Sequence, residues 1–253
     1  MTVSSSVLLP PHRLLPAGDA AVTVEFGSTI DPLLHARVQA LDAALAALAP
    51  VGLVECVPTY RSLLVVFDPG RTSHAAMADA ITAALAQPVA ATTQGRRLAV
   101  PAVYGGAAGE DLPALAEARG LTEEDVVRIH TGGVYLVYMI GFIPGFTYLG
   151  GLDPRLHTPR RVSPRLTTPK GSVAIGGQQT GINPIDMPSG WHLIGRTPLT
   201  VFDPERSQRP FLFAAGDELQ FEVIDQATFD ALASDPLAVP RDLGPVQAGS
   251  RGG

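Results

Sequence analysis

The residues best suited to chemistry lie in the second half of the chain, in three glycine-rich runs. The first, Gly141-Phe142-Ile143-Pro144-Gly145-Phe146-Thr147-Tyr148-Leu149-Gly150-Gly151, threads three aromatics through a backbone that must turn repeatedly. Phe142, Pro144, Gly145 and Phe146 suit the wall of a cleft holding planar or apolar groups. They equally suit a turn-rich barrel edge whose aromatics plug a core. The second run, Ile175-Gly176-Gly177-Gln178-Gln179-Thr180-Gly181, sets two side-chain amides and a hydroxyl on a loop. Amides such as Gln178 and Gln179 can read a lactam or a carboxylate by paired hydrogen bonds, beside the Thr180 hydroxyl. The glycines would allow a ligand close to the backbone. Tight barrel turns need the same glycines. The third run, Trp191-His192-Leu193-Ile194-Gly195-Arg196-Thr197-Pro198, places the only tryptophan near Arg196. It offers either a ring platform beside an anion clamp or a core tryptophan.

His130 precedes these runs at the end of a helical pattern. Histidine is the commonest acid/base group near neutral pH, and a helix-terminal histidine also complements the helix dipole. Arg155, Arg160, Arg161, Arg165 and Lys170 fall in one segment whose only acid is Asp153. Arginine forks match carboxylates and phosphates; a solvated face or a partner contact has the same composition. Pro154, Pro159, Pro164 and Pro169 recur every fifth residue there, which predicts an extended segment.

Self-contained catalytic motifs are absent from the sequence. Gly176-Gly177-Gln178-Gln179-Thr180-Gly181 has glycines at the phosphate-loop interval, but Ile182 stands where lysine is required. There is no HExxH, paired CxxC, EF-hand loop or GxSxG, and the six histidines lack ligand spacing. Cys56, the single cysteine, sits in the apolar-flanked run VECVP, as a quiet strand residue would.

Two kinds of texture must position these runs. In the first part, Ala20 to Phe26 is strand-like, and Asp31-Pro32 caps a helix carrying an apolar stripe of Leu34, Val38, Leu41, Leu45 and Leu48. Leu53 to Val57 and Ser62 to Phe67 read as strands, and Ser73 to Ala86 as a second amphipathic helix. Arg97 to Val103 would supply a closing strand. The order β-α-β-β-α-β matches the split βαβ, ferredoxin-like pattern. The polar stretch Gln87 to Gly95 is the expected seam, dividing the chain into domains 1–92 and 93–253. Beyond it come two short helices, near Leu112 to Arg119 and Thr122 to His130, the second opened by a cap and acids. Then β-rich runs (VYLVYMI, SVAIGG, PLTVF, ELQFEVI) alternate with Gly and Pro, the pattern of an all-β barrel or sandwich. Leu237 to Gly253 is expected to fray.

The chain has 253 residues, 46% hydrophobic and 17% charged, enough apolar material for two cored domains and against disorder. Its net charge of −6 argues against a nucleic-acid coat. MTVSSSVLLPPHR lacks the basic start of a signal peptide, and no apolar run approaches the ~20 residues of a membrane helix. The expectation is a cytoplasmic protein without nucleic-acid or membrane partners.

Taken together, GFIPGFTYLGGLDPRLHTPRR, PKGSVAIGGQQTGINP and GWHLIGRTPL resemble the signature of the 5-oxoprolinase B-subunit family, also called allophanate hydrolase subunit 1 or the Kip-type histidine kinase inhibitor family. GDAAVTVEFG, ECVPTYRSLLVVFDP and GEDLPALAEARGLTEEDVVRIH extend the resemblance over nearly the whole chain. Asn183 and Met187 depart from it, standing where an aromatic and a small residue are expected. The resemblance implies an α+β protein, a small N-terminal α/β domain followed by a cyclophilin-like β-barrel. It implies partnership with the A and C subunits of 5-oxoprolinase, the latter of related architecture, in opening 5-oxoproline to glutamate with ATP and its accompanying Mg. An unstrained lactam is a poor electrophile, and phosphorylating its amide oxygen would create a good leaving group. With no phosphate loop here, the ATP site would be non-standard or shared with the C subunit. On this reading His130 is an acid/base, Gln178 and Gln179 read the lactam or carboxylate, and Arg196 clamps an anion. Phe142, Pro144, Gly145, Phe146, Thr180 and Trp191 line the cleft. The same resemblance admits a binding module that docks on a sporulation histidine kinase, or a subunit of an allophanate- or urea-type amide hydrolase. Prolyl isomerisation would rest on fold analogy alone.

Overall fold

The computed structural model describes residues 11–87, 95–206 and 209–245, and the chain divides into two compact units, 1–93 and 94–253. The expected seam at Gln87 to Gly95 lies mostly outside the described residues.

The N-terminal unit carries β1 (Arg13–Pro16), β2 (Ala21–Glu25), α1 (Pro32–Leu48), β3 (Leu53–Pro58), β4 (Ser62–Phe67) and α2 (His74–Leu85). Asp31 caps α1 by accepting a 2.7 Å hydrogen bond from the Leu33 amide, with Pro32 preset for the first turn. Ser73 caps α2 through the Ala76 amide. Leu34, Val38, Leu41 and Leu45 bury the α1 stripe against Val24, Leu63, Val65 and Phe67, with Met77 and Ile81 from α2. Burial of each such side chain contributes roughly 1.5–3 kcal/mol. Leu48, expected in that stripe, is 50% exposed, because the helix ends one residue later in the left-handed cap residue Ala49.

The sheet is wholly antiparallel in the order β1-β2-β4-β3. The element order is therefore β-β-α-β-β-α. The expected closing strand, Arg97 to Val103, belongs to the second unit, and β1 pairs with the edge of β2 instead. An edge strand is chosen by long-range pairing, which a local pattern does not encode.

The second unit contains β5 (Arg96–Tyr104), α3 (Leu112–Arg119), α4 (Glu123–Gly132), β6 (Tyr135–Ile140), β7 (Thr147–Gly150), β8 (Arg165–Thr168), β9 (Ser172–Gly176), β10 (Gln179–Ile182), β11 (Met187–Ser189), β12 (His192–Arg196), β13 (Glu218–Val223), α5 (Gln226–Ala233) and β14 (Arg241–Pro245). Seven strands close a barrel in the order β12-β9-β10-β7-β6-β13-β5, sealed by Gly195 opposite Tyr104 and Arg196 opposite Val103. Among the described strands only the β13–β5 pairing is parallel; β14 adds to the first half of β5, and β8–β11 form a separate ribbon. Val100, Val137, Leu149, Val173, Ile175, Ile182, Ile194 and Phe221 fill the interior. Helices α3 and α4 contribute Leu115, Val126 and Ile129 to the same core. Thr122 and Asp125 form the reciprocal capping box that starts α4.

Two expectations change here. PLTVF buries Leu199 and Val201 but forms no strand, only an isolated bridge from Phe202 to Phe211. The segment expected to fray from Leu237 includes β14, whose ladder with β5 satisfies its backbone; residues 246–253 lie outside the described residues.

Candidate functional site

Strand alternation sorts the side chains of β7, β10, β9 and β12 into two sets. Leu149, Thr180, Ile182, Val173, Ile175 and Ile194 are in the barrel core or bonded to it, whereas Ala174 and Leu193 join an outer cluster with Phe146, Met187, Trp191, Ile143 and Tyr148. Gly176 and Gly181 floor this outer face. A methyl on Gly176 would lie 2.6 Å from the indole of Trp191, and one on Gly181 would lie 3.1 Å from it. The glycines seen in sequence thus let a large ring lie on bare strand backbone.

Phe146 stands edge-on to Trp191 at 5.5 Å and to Tyr148 at 4.8 Å. Phe142 meets Phe146 edge-on at 6.2 Å but is itself 73% exposed, at the tip of the β6–β7 turn. Its φ of +70° is in the left-handed region, which costs a non-glycine residue about 1–2 kcal/mol. Gly145, at φ +85°, tightens the same turn, and a methyl there would strike Phe202 at 2.5 Å. Pro144 is exposed beside it.

Over this aromatic surface runs an irregular strap, residues 158–164. Thr158 and Gly177 exchange two backbone hydrogen bonds of 3.0 and 2.7 Å, the Pro159 carbonyl lies 2.9 Å from His192 Nε2, and the Arg161 amide donates to Gly190 at 2.7 Å. Asp111, nearly buried, accepts from Arg161 and twice from Arg165 at 2.7–2.8 Å, and from the Leu193 amide at 2.8 Å. Burial pushes its carboxyl pKa up, but Arg165, the Leu193 amide and Arg161 outweigh that and hold it below the ordinary value. Arg155 is likewise paired, with Asp153. Arg160 alone among these arginines has no carboxylate partner among the described residues. Pinned on both sides, it holds its guanidinium 5.8 Å from the Trp191 ring centre. Burial raises the pKa of the neighbouring Tyr148 phenol, and the Arg160 charge opposes that rise.

The structure therefore gathers Phe142, Pro144, Gly145, Phe146 and Trp191 in one outer cluster, in which Phe146 and Trp191 are buried core rings and Phe142 and Pro144 are exposed at the edge, with Gln179 on the same face of β10 by alternation from Gly181. Gln178 is exposed in the β9–β10 turn, next to Gly177 at φ +66°. Arg160 and Tyr148 complete the group. Nothing local distinguishes Arg160 from Arg161 or Arg165; only the position of Asp111 does.

Three expected members are elsewhere. His130 is completely buried, with Nδ1 2.9 Å from the Tyr104 hydroxyl and Nε2 3.0 Å from Thr180 Oγ1. Thr180 gives its proton to the Ala174 carbonyl at 3.1 Å. Its oxygen then accepts from His130 Nε2–H, and Nδ1 accepts from Tyr104, so the neutral tautomer is fully committed. Burial lowers the His130 pKa to about 3. His130 and Thr180 are thus core groups, and the acid/base role expected of His130 has no support in this geometry. Arg196 lies four residues along β12 from His192, about 13 Å at ~3.3 Å per residue, opposite Ser172 and Val103.

A groove of about 760 Å³ is lined by Tyr104, Gly105, Val127, Val223 and the first-turn residues Glu123 and Glu124 of α4. Its volume would admit a nucleotide, but Glu123 and Glu124 on its wall oppose a polyphosphate and the one lining cation, Arg128, is already paired with Asp125. Among the described residues no three His, Cys, Asp or Glu side chains converge as metal ligands.

Comparison with known proteins places this geometry in a family. The family model for the carboxyltransferase domain, subdomain C and D, matches residues 12–213. A Bacillus subtilis (strain 168) protein named as the B subunit of 5-oxoprolinase is 38% identical over 231 residues, covering 87% of this chain and 96% of that protein. The chain belongs to the 5-oxoprolinase B-subunit family. A second family member, from Escherichia coli O157:H7, is 40% identical over 81% of this chain and 92% of its own length. The crystal structure of TTHA0988 superposes with a TM-score of 0.72 at 35% identity, over 81% of this chain; the present chain spans 40% of that one. A more distant relative, the urea amidolyase of Lachancea kluyveri, is 25% identical over 91% of this chain, which corresponds to 14% of that protein. Among the described residues no helix is long and apolar enough to cross a membrane.

Proposed function

We propose that this family member is the B subunit of an ATP-dependent 5-oxoprolinase, working in the cytoplasm with the A and C subunits to open 5-oxoproline to glutamate. The barrel is read as cyclophilin-like and serves as the substrate-binding domain, with the domain boundary near residue 92. The N-terminal domain is read as a ferredoxin-like sheet whose closing strand is supplied by β1.

The observation that carries the reading is Arg160, 5.8 Å from the Trp191 ring centre and without a carboxylate partner among the described residues. 5-Oxoproline is a small lactam ring bearing one carboxylate. Phe142, exposed at the edge of the buried Phe146–Trp191 cluster, suits the ring, Arg160 the carboxylate, and Gln179 the lactam amide, which offers one donor and one acceptor. Among the described residues here, His192 is engaged with the Pro159 carbonyl and burial raises the Tyr148 pKa, so the phosphoryl-transfer and ring-opening groups are assigned to the A and C subunits. Substrate binding, orientation and exclusion of water are the tasks left to this chain.

The test is steady-state kinetics of the reconstituted complex. Arg160→Ala should raise KM for 5-oxoproline about 10- to 100-fold, the loss of one charge-assisted hydrogen bond, with a smaller change in kcat. An unchanged KM in a normally folded variant would remove Arg160 from the site. The urea amidolyase relative favours a second reading, in which the complex takes another small amide. Turnover of such an amide without turnover of 5-oxoproline would select it.

A further inference from the structure

Arg196, displaced from the aromatic surface, lines a different cavity. This pocket of about 100 Å³ is walled by Lys170, Gly171, Arg196, Thr197, Thr200 and Phe229, with two prolines, a leucine and an alanine completing it. Arg196 Nε donates to the Lys170 carbonyl at 3.0 Å, and its guanidinium sits 5.9 Å from the Phe229 ring centre. The group is thereby oriented but not neutralised. Its two terminal nitrogens have no protein acceptor among the described residues, and neither does the Lys170 ammonium. The Lys170 backbone amide is capped separately by Asp186 at 2.7 Å. The Thr200 hydroxyl at the rim is also without a partner there.

Two adjacent cations left without a carboxylate are conspicuous in a chain of net charge −6, where Arg161 and Arg165 share Asp111. No acidic residue lines this pocket. An arginine fork, an ammonium and a hydroxyl around a space of this size match a single tetrahedral oxyanion and exclude a nucleoside. Close backbone packing shapes the wall: a methyl on Gly171 would come within 2.4 Å of the Thr197 carbonyl oxygen.

We propose that the Lys170–Arg196 pocket binds a phosphoryl oxyanion, either inorganic phosphate or the terminal phosphate of a nucleotide whose base rests outside the pocket. The site is separate from the aromatic surface, and its occupancy does not depend on which amide the complex opens. Binding by the isolated chain and turnover by the complex therefore fail independently.

Isothermal titration of the full chain with inorganic phosphate, and separately with ATP, tests this. Lys170→Gln, Arg196→Gln and the double variant are compared after near-UV circular dichroism confirms folding; Lys170 is exposed, so its replacement does not threaten the fold. Each single variant should weaken phosphate binding by roughly tenfold or more, as the loss of a charge-assisted hydrogen bond implies, and the double variant should abolish it. Arg160→Ala should leave phosphate binding unchanged. ATP binding more tightly than phosphate with the same dependence on both residues identifies a nucleotide as the source. Equal affinities with that dependence identify free phosphate. Absence of phosphate and ATP binding by the native chain, or binding indifferent to both substitutions, overturns the proposal.

Discussion

The buried hydrogen-bond chain through His130 makes the barrel's stability depend on pH in a definite direction. The imidazole is held neutral, with its pKa lowered by burial to about 3 from an ordinary 6.5. As pH falls below 6.5 the unfolded chain takes up a proton that the folded chain refuses, so the contribution is fully present above pH 6.5 and is lost progressively towards pH 3. Between pH 7.5 and 5.0 the loss is about 2 kcal/mol, the slope approaching ~1.4 kcal/mol per pH unit only below the unfolded pKa. His130→Gln removes the titration while keeping a side-chain amide that can accept from Tyr104 and donate to Thr180. Urea unfolding followed by the fluorescence of Trp191, the single tryptophan, reports on the barrel. Native protein should lose about 2 kcal/mol more than His130→Gln between pH 7.5 and 5.0. The variant will be less stable at both pH values, so the decisive quantity is the difference in pH dependence. Equal dependence in the two proteins would refute a neutral, sealed His130.

Other substitutions probe the surroundings of the aromatic surface. Gly176→Ala places a methyl 2.6 Å from the indole; overpacking should cost about 1–3 kcal/mol and shift the tryptophan emission maximum, and an unchanged spectrum and stability would mean Trp191 does not rest on that strand. Asp111→Ala strands Arg161, Arg165 and the Leu193 amide together. Because both arginines can reach water, the expected loss is roughly 2–3 kcal/mol, read by urea unfolding, with faster proteolysis of the 158–164 strap. Since the Asp111 pKa is depressed in the fold, its contribution is present above the ordinary carboxylate range and is lost as pH falls through the folded value. In Asp111→Ala the acid limb of the stability profile should flatten accordingly.

Local chemistry made much of the second unit legible. The cap at Thr122, the short helices near Leu112 and Thr122 and the strand runs at Ser172 and Glu218 each express a short-range rule, and each forms as expected. The α1 cap at Asp31-Pro32 did likewise. What escaped reading was pairing over long distances. Arg97 to Val103 is strand-like in either unit, and nothing within it says that β13, more than a hundred residues on, will be its parallel neighbour. The site divides in the same way. The glycines of the 175–181 run were legible as sites of close approach, but what approaches Gly176 and Gly181 is the buried Trp191 ring of this chain, supplied by a neighbouring segment that the run itself does not name. His130 looked like a reactive helix-end histidine, since its partners Tyr104 and Thr180 are supplied by two other strands. Arg160, Arg161 and Arg165 are equivalent as residue types; Asp111, 54 positions before Arg165, neutralises the latter two, and Arg160 has no carboxylate partner among the described residues.

The most direct measurement is phosphate release by this chain co-expressed with the A and C subunits, with and without 5-oxoproline, and with this chain omitted. The role of a B subunit predicts release that depends on 5-oxoproline and disappears on omission. Release that persists undiminished without this chain, or a stable complex of all three proteins indifferent to 5-oxoproline, would contradict that role.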